Sequence, residues 1–86
     1  MARVTLRYWA ALRSAAGVAE QVVEADTLAT ALADVRSAYG ADSRFAAVLG
    51  ICAVVVDETP AGSRRHDEIV LRDGSIVELL PPFAGG

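Results

Sequence analysis

Leu28, Ala31, Leu32, Val35, Ala38 and Tyr39 recur at helical spacing in the middle of the chain, and the segments around them alternate with period two. This combination constrains the fold more than any other feature. A helix with one apolar stripe must lay it on an apolar surface, and alternating segments supply a sheet. The predicted helix runs from Thr27 to Tyr39. Asp26-Thr27 offers N-cap chemistry before it, and Gly40 sits where a C-terminal cap glycine belongs.

The first strand is predicted over Arg3 to Trp9, with Val4, Leu6 and Tyr8 on one face and Arg3, Thr5, Arg7 and Trp9 on the other. Ala10 to Ala16 reads as one or two helical turns stopped by Gly17, and Val18 to Ala25 as a second strand. After Gly40 a loop is expected to Gly50, with a short helical turn around Phe45 to Leu49. Ile51 to Asp57 is apolar until its last residue, which predicts a strand buried on both faces or nearly so. Glu58 to Asp67 reads as a surface loop and Glu68 to Leu71 as a short strand. Asp73-Gly74 marks a turn, Ser75 to Leu80 is the last strand, and Pro81-Pro82 ends it. The order fits one α+β domain, a mixed sheet of four to five strands with one main helix on one face. Parallel pairing of the first and last strands at the sheet centre would make it a ubiquitin-like β-grasp; the order alone also permits other pairings.

The chain has 86 residues, enough for a single modest core. Its one cysteine, Cys52, cannot form an internal disulfide, which points to a cytoplasmic protein. No apolar run approaches the ~20 residues of a membrane span, and Met1-Ala2-Arg3 leads straight into a strand rather than a signal peptide. A net charge of −3 argues against a nucleic-acid surface. All the basic residues are arginine, which excludes a Schiff-base or P-loop lysine. His66, the only histidine, has no set of ligands at metal spacing beyond Asp67-Glu68, so no metal site is expected. Cys52 reads as a small hydrophobe in a strand, and Arg64-Arg65 as solvated.

The sequence ends LLPPFAGG. Residues 1–80 form the expected domain and residues 81–86 an extended tail. Proline fixes φ, so Pro81-Pro82 makes a stiff stub, and Gly85-Gly86 could enter a channel too narrow for side chains. A terminal Gly-Gly is by itself no more than a frayed end. Here it follows a strand, a rigid stub and an exposed aromatic, Phe83. A backbone carboxylate is a poor electrophile, and adenylation would give it a leaving group. A sulfur nucleophile could then form a thiocarboxylate, or a lysine an amide. Alternation also puts Trp9 and Leu80 on the helix-free face if first and last strands are neighbours, an apolar cluster near the root of the tail.

RYWAALRSAAG at the start and RDGSIVELLPPFAGG at the end resemble the small subunits of molybdopterin synthase, within the wider group of MoaD/ThiS sulfur carriers related to ubiquitin. The cap at Asp26-Thr27 and the strand Val54 to Asp57 fall between them in the expected order. The resemblance implies that an E1-like adenylyltransferase uses ATP to activate the Gly86 carboxylate. A sulfurtransferase then supplies the sulfur of a thiocarboxylate. The tail enters a large synthase subunit, in a complex of two small and two large subunits, and the sulfur builds the dithiolene of molybdopterin. Catalytic side chains belong to the large subunit, and the small chain holds no cofactor of its own. Carried onto this sequence, Gly86 bears the sulfur and Gly85 permits threading. Pro81, Pro82, Phe83 and Ala84 belong to the inserted tail, and Trp9, Arg13 and Leu80 meet partners. Asp57 stands where the family often has asparagine, and Arg64-Arg65-His66 has no family counterpart. Three other functions keep parts of this reading: a carrier for thiazole or cysteine synthesis, a protein modifier joined through Gly86 to lysine, and a binding module without terminal chemistry.

Overall fold

In the computed structural model, which describes residues 1–82, β1 (Arg3–Tyr8) and β5 (Ile76–Leu80) lie side by side and parallel. Leu6 faces Val77 and Tyr8 faces Leu79 across this pair. β2 (Glu20–Glu24) joins the far side of β1 antiparallel, β3 (Ala53–Val56) joins β5 antiparallel, and β4 (Thr59–Pro60) is hydrogen-bonded to β3, giving the order β2-β1-β5-β3-β4. The parallel pair at the centre of a mixed five-stranded sheet is the β-grasp arrangement that the element order allows.

α1 (Ala10–Ala16) ends at Gly17, whose φ of 80° is the left-handed C-cap expected of glycine. α2 (Leu28–Tyr39) starts one residue later than predicted. Thr27, not Asp26, is its cap and accepts from the Thr30 amide, while the Asp26 carboxylate accepts from the Ala2 amide at 2.9 Å. The expected turn around Phe45 is a helix, α3 (Arg44–Leu49), capped by Ser43.

The core lies between the helices and one sheet face. Val4, Leu6, Tyr8, Val77 and Leu79 of the central strands meet Leu12 of α1, Leu28, Ala31 and Val35 of α2, and Phe45 and Leu49 of α3. Phe45 stacks on Tyr39 with centroids 4.0 Å apart and meets Tyr8 edge-on at 5.3 Å. Both tyrosine hydroxyls reach Gln21 Oε1, Tyr8 at 2.6 Å and Tyr39 at 3.1 Å, so the polar ends of the aromatic cluster are satisfied by β2. Burial, with the neighbouring Tyr39 adding to it, pushes the Tyr8 hydroxyl pKa well up.

Two expectations are corrected. Ile51 to Asp57 is not a strand buried on both faces: β3 is only Ala53–Val56, its valines are half-buried, and Ile51 is 62% exposed in the turn after α3. β4 pairs with only two residues of β3, and Ala53 at the start of β3 is exposed. Glu68 to Leu71 is not a strand either. A 3₁₀ turn, His66–Glu68, leads into one isolated bridge between Val70 and Thr27. The segment's backbone bonds go to the entrance of α2: Ile69 C=O accepts from Leu28 N–H, and Leu71 N–H donates to Asp26 C=O. Ile69 and Leu71 are nonetheless buried.

Candidate functional site

The helices cover one face of the sheet, and the residues in register on the other face form the candidate site. Thr5 pairs with Ile76 and Val22, Arg7 with Glu78 and Glu20, and Leu80 with Ala53. Residues paired across strands point to the same side, so this face carries a polar row through its middle and apolar groups around it. The row is an ion-pair ladder: Arg7 lies 3.5 Å from Glu20 and 3.7 Å from Glu78. All three side chains keep substantial solvent exposure, so the ladder orders the face more than it stabilises the fold.

Trp9 continues β1 in extended geometry, φ −116° and ψ 152°, and serves as the N-cap of α1 without a side-chain cap bond. It is 44% exposed, whereas Tyr8 just before it is 2% exposed. Its amide donates to the Leu79 carbonyl at 3.2 Å, which ties it to the strand that leads into the tail. Trp9 and the exposed Arg13 line one depression with Arg7, Tyr8, Ala19 and Glu20. Leu80 is half-buried at the end of β5. Pro81 is buried and Pro82 exposed, so packing reaches one residue past the strand. The remaining predicted site residues, Phe83, Ala84, Gly85 and Gly86, lie outside the described residues.

The base of β5 is held by a feature that the sequence pattern does not single out. Asp57 and Glu58 link β3 to β4 with φ of 47° and 70°, the two positive values of a tight two-residue hairpin turn. The Asp57 carboxylate accepts from the Ile76 amide at 2.8 Å and from the Ser75 hydroxyl at 2.9 Å. Ser75 is buried, and its oxygen also accepts from the Arg72 amide. An aspartate that ends an apolar strand was the available signal, since Asp tolerates the left-handed region and hydrogen-bonds to nearby backbone.

Cys52 lies just before β3, half-buried, with its thiol 3.3 Å from the Val48 carbonyl, and burial pushes its pKa up to about 11. It is a protonated thiol at neutral pH rather than a nucleophile. Arg65 is engaged by Asp67 through both carboxylate oxygens. Among the described residues no group of three His, Cys, Asp or Glu side chains is placed to hold a metal ion. Among the same residues no helix is long and apolar enough to cross a membrane.

The family model for ThiS matches residues 6–86. The chain belongs to the ThiS family. No curated protein matches it. Among solved structures, the small archaeal modifier protein SAMP1 from Methanosarcina acetivorans superposes with a TM-score of 0.82 at 23% identity, covering 100% of this chain and 98% of that one. SAMP1 from Haloferax volcanii gives 0.71 at 21% identity, over 98% and 99% of the two chains. The complex of subunits 1 and 2 of the molybdopterin-converting factor from Helicobacter pylori gives 0.69 at 23% identity, again over 98% of this chain and 99% of that one. At these identities the likeness establishes the ubiquitin-like fold of this ThiS-family chain and its strand topology.

Proposed function

We propose that this chain is a sulfur carrier whose Gly86 carboxylate is adenylated, converted to a thiocarboxylate and used as the sulfur donor for the molybdopterin dithiolene, with the chain acting as the small subunit of molybdopterin synthase. The observation that carries this reading is the anchoring of β5 and Pro81 beside an exposed Trp9. The strand is clamped between β1 and β3, Pro81 is packed into the body, and Trp9 stands exposed beside that strand. A rigid root lets a partner that grips the sheet face also aim the tail. The ThiS-family match that continues to Gly86 supports carrier chemistry at that residue.

The chemistry is acyl activation. The carboxylate attacks the α-phosphorus of ATP, pyrophosphate leaves, and an acyl adenylate forms. The outer sulfur of a persulfide on the sulfurtransferase then attacks the acyl carbon and AMP departs. A second thiol of the donor cleaves the S–S bond of the resulting acyl disulfide, leaving the thiocarboxylate on Gly86 and a disulfide on the donor. ATP is bound by an E1-like adenylyltransferase, and a sulfurtransferase supplies the sulfur. Catalytic side chains for the transfer to the pterin reside on the large synthase subunit. The subunit 1 and 2 complex from Helicobacter pylori supports a large-subunit partner. The proposed assembly has two small and two large subunits, and the proposed location is the cytoplasm. The roles are Gly86 as sulfur-bearing residue, Gly85 as the slim threading position, Pro81, Pro82, Phe83 and Ala84 as tail, and Trp9, Arg13 and Leu80 as docking residues.

A second reading, a protein modifier joined through Gly86 to lysine, is favoured by the higher structural likeness to SAMP1. Intact mass spectrometry after incubation with an adenylyltransferase of this class, ATP and a sulfur donor separates the two. A gain equal to sulfur replacing oxygen is expected. Covalent adducts on other proteins without that gain would transfer the assignment to the modifier. Deleting Gly86 is expected to abolish the gain while leaving the circular dichroism spectrum unchanged, and persistence of the gain would refute the assignment to Gly86.

A further inference from the structure

We propose that Ala10 is a positioning residue whose left-handed backbone, at the junction of β1 and α1, holds Trp9 outward as a rigid anchor. Ala10 has a φ of 47°, a region that residues with a Cβ rarely occupy outside Asn and Asp. Such outliers persist only where the surroundings over-determine them.

Here they do so from both sides. Only Trp9 separates β1 from α1, so the chain must turn from strand to helix within one residue step. Upstream, the Trp9 amide is held by the Leu79 carbonyl, and its own carbonyl accepts from Leu12 at 3.0 Å and Arg13 at 3.3 Å. Downstream, Leu12 is fully buried in the core. Rotating Ala10 to an ordinary negative φ would swing α1 about β1 and lift Leu12 out. The tight turn leaves Trp9 no slack: its backbone is bonded at both ends, and its side chain continues the strand alternation to the side opposite Tyr8. A looser connection would let the indole fold back over the end of the core. Trp9 is therefore preorganised beside Arg7, Arg13 and Glu20, which lowers the entropy lost when a partner covers it. That Trp9 is a docking anchor rests on the carrier reading above; the backbone argument does not.

The chain's only tryptophan is its own probe. Ala10→Gly removes the left-handed strain and adds conformational freedom. Its Tm is expected to rise by about 3 °C, the strain relief partly offset by the larger unfolded-state entropy of glycine. At the same time Trp9 fluorescence anisotropy should fall and acrylamide quenching should increase. Ala10→Asn accepts the left-handed region but keeps a Cβ, and should return anisotropy and quenching to parental values. A lower Tm for Ala10→Gly would show that Ala10 is not strained. Parental Trp9 anisotropy and quenching in Ala10→Gly, or a loosened Trp9 in Ala10→Asn, would show that the left-handed backbone at Ala10 does not position the indole. These readouts need no partner, so they fail independently of the sulfur-transfer assay.

Discussion

Asp57→Ala should be one of the most damaging substitutions outside the core, although Asp57 itself is exposed. Its carboxylate accepts the Ile76 amide at 2.8 Å and the Ser75 hydroxyl at 2.9 Å, and so pins the first residue of the central strand β5. Hydrogen bonds to a charged acceptor contribute about 1.5–3 kcal/mol when well buried and about 1 kcal/mol when water competes. The bond to Ile76 is exposed and belongs at the low end; the one to buried Ser75 is higher. Alanine also tolerates the φ of 47° less well than aspartate, by a few tenths of a kcal/mol. The expected loss is about 2–3 kcal/mol, a large fraction of the roughly 5–10 kcal/mol of a domain this size. An asparagine side chain in the same place would keep the acceptor for the Ile76 amide and the left-handed tolerance. Its amide could donate to the Ser75 oxygen, leaving only the serine proton to find a new partner. Asp57→Asn should therefore lose about 1 kcal/mol or less. Equilibrium urea unfolding, followed by Trp9 fluorescence and far-UV circular dichroism, reads both values at constant m. If Asp57→Ala lies within about 0.5 kcal/mol of the parent, a typical surface change, or if Asp57→Asn is equally damaging, the clamp on β5 is not what holds the hairpin to the sheet.

Leu79→Ala truncates a fully buried side chain in the central strand and should lose about 2–5 kcal/mol in the same unfolding assay. Arg7→Gln removes both contacts of the exposed ladder and should shift stability by less than about 1 kcal/mol, with a salt series showing no larger effect. Cys52 has a folded pKa raised to about 11 by burial, so the folded state favours the neutral thiol. Stability should be full below the unfolded thiol pKa of about 8.5 and decline as pH rises from there to about 11, and Cys52→Ala should flatten that part of a pH series of urea midpoints. Trp9→Arg should weaken partner capture in a pull-down while leaving the urea midpoint near parental; unfolding would assign Trp9 to the core.

The parts of the fold that were legible in the sequence are those where one local rule dominates. β1 and β5 alternate without interruption, and α1 is bounded by a glycine whose φ of 80° only that residue adopts freely. The misreadings arose where burial and pairing part company. In the run Ile51 to Val56 only Cys52, Val54 and Val56 pack against the core, while Ile51 and Ala53 are exposed, so its apolar character does not mark a strand covered by two layers. β4 was invisible because it is two residues long and includes Pro60, which has no amide for a ladder. Ile69 and Leu71 alternate as a strand would, yet their backbones are spent on the entrance to α2. Of the site, Trp9 facing outward follows from the alternation with Tyr8. The Arg7 ladder and the Asp57 clamp do not, because both need the register between distant strands.

β5 divides its labour by parity, and this links the fold to the proposed function. Val77 and Leu79 are buried and fasten the strand to the core, while Ile76, Glu78 and Leu80 lie half-buried on the open face. The parallel neighbour β1 repeats the division with Leu6 and Tyr8 inward and Arg7 outward, in register. A partner reading the open face would thus contact residues whose spacing is fixed by core residues one step along the same strand. Sequence changes on the face could then alter partner choice at little loss of stability, whereas changes one position away would unfold the domain. The buried Pro81 extends this division one residue beyond the last ladder pair, so packing as well as hydrogen bonding fixes the backbone where β5 ends.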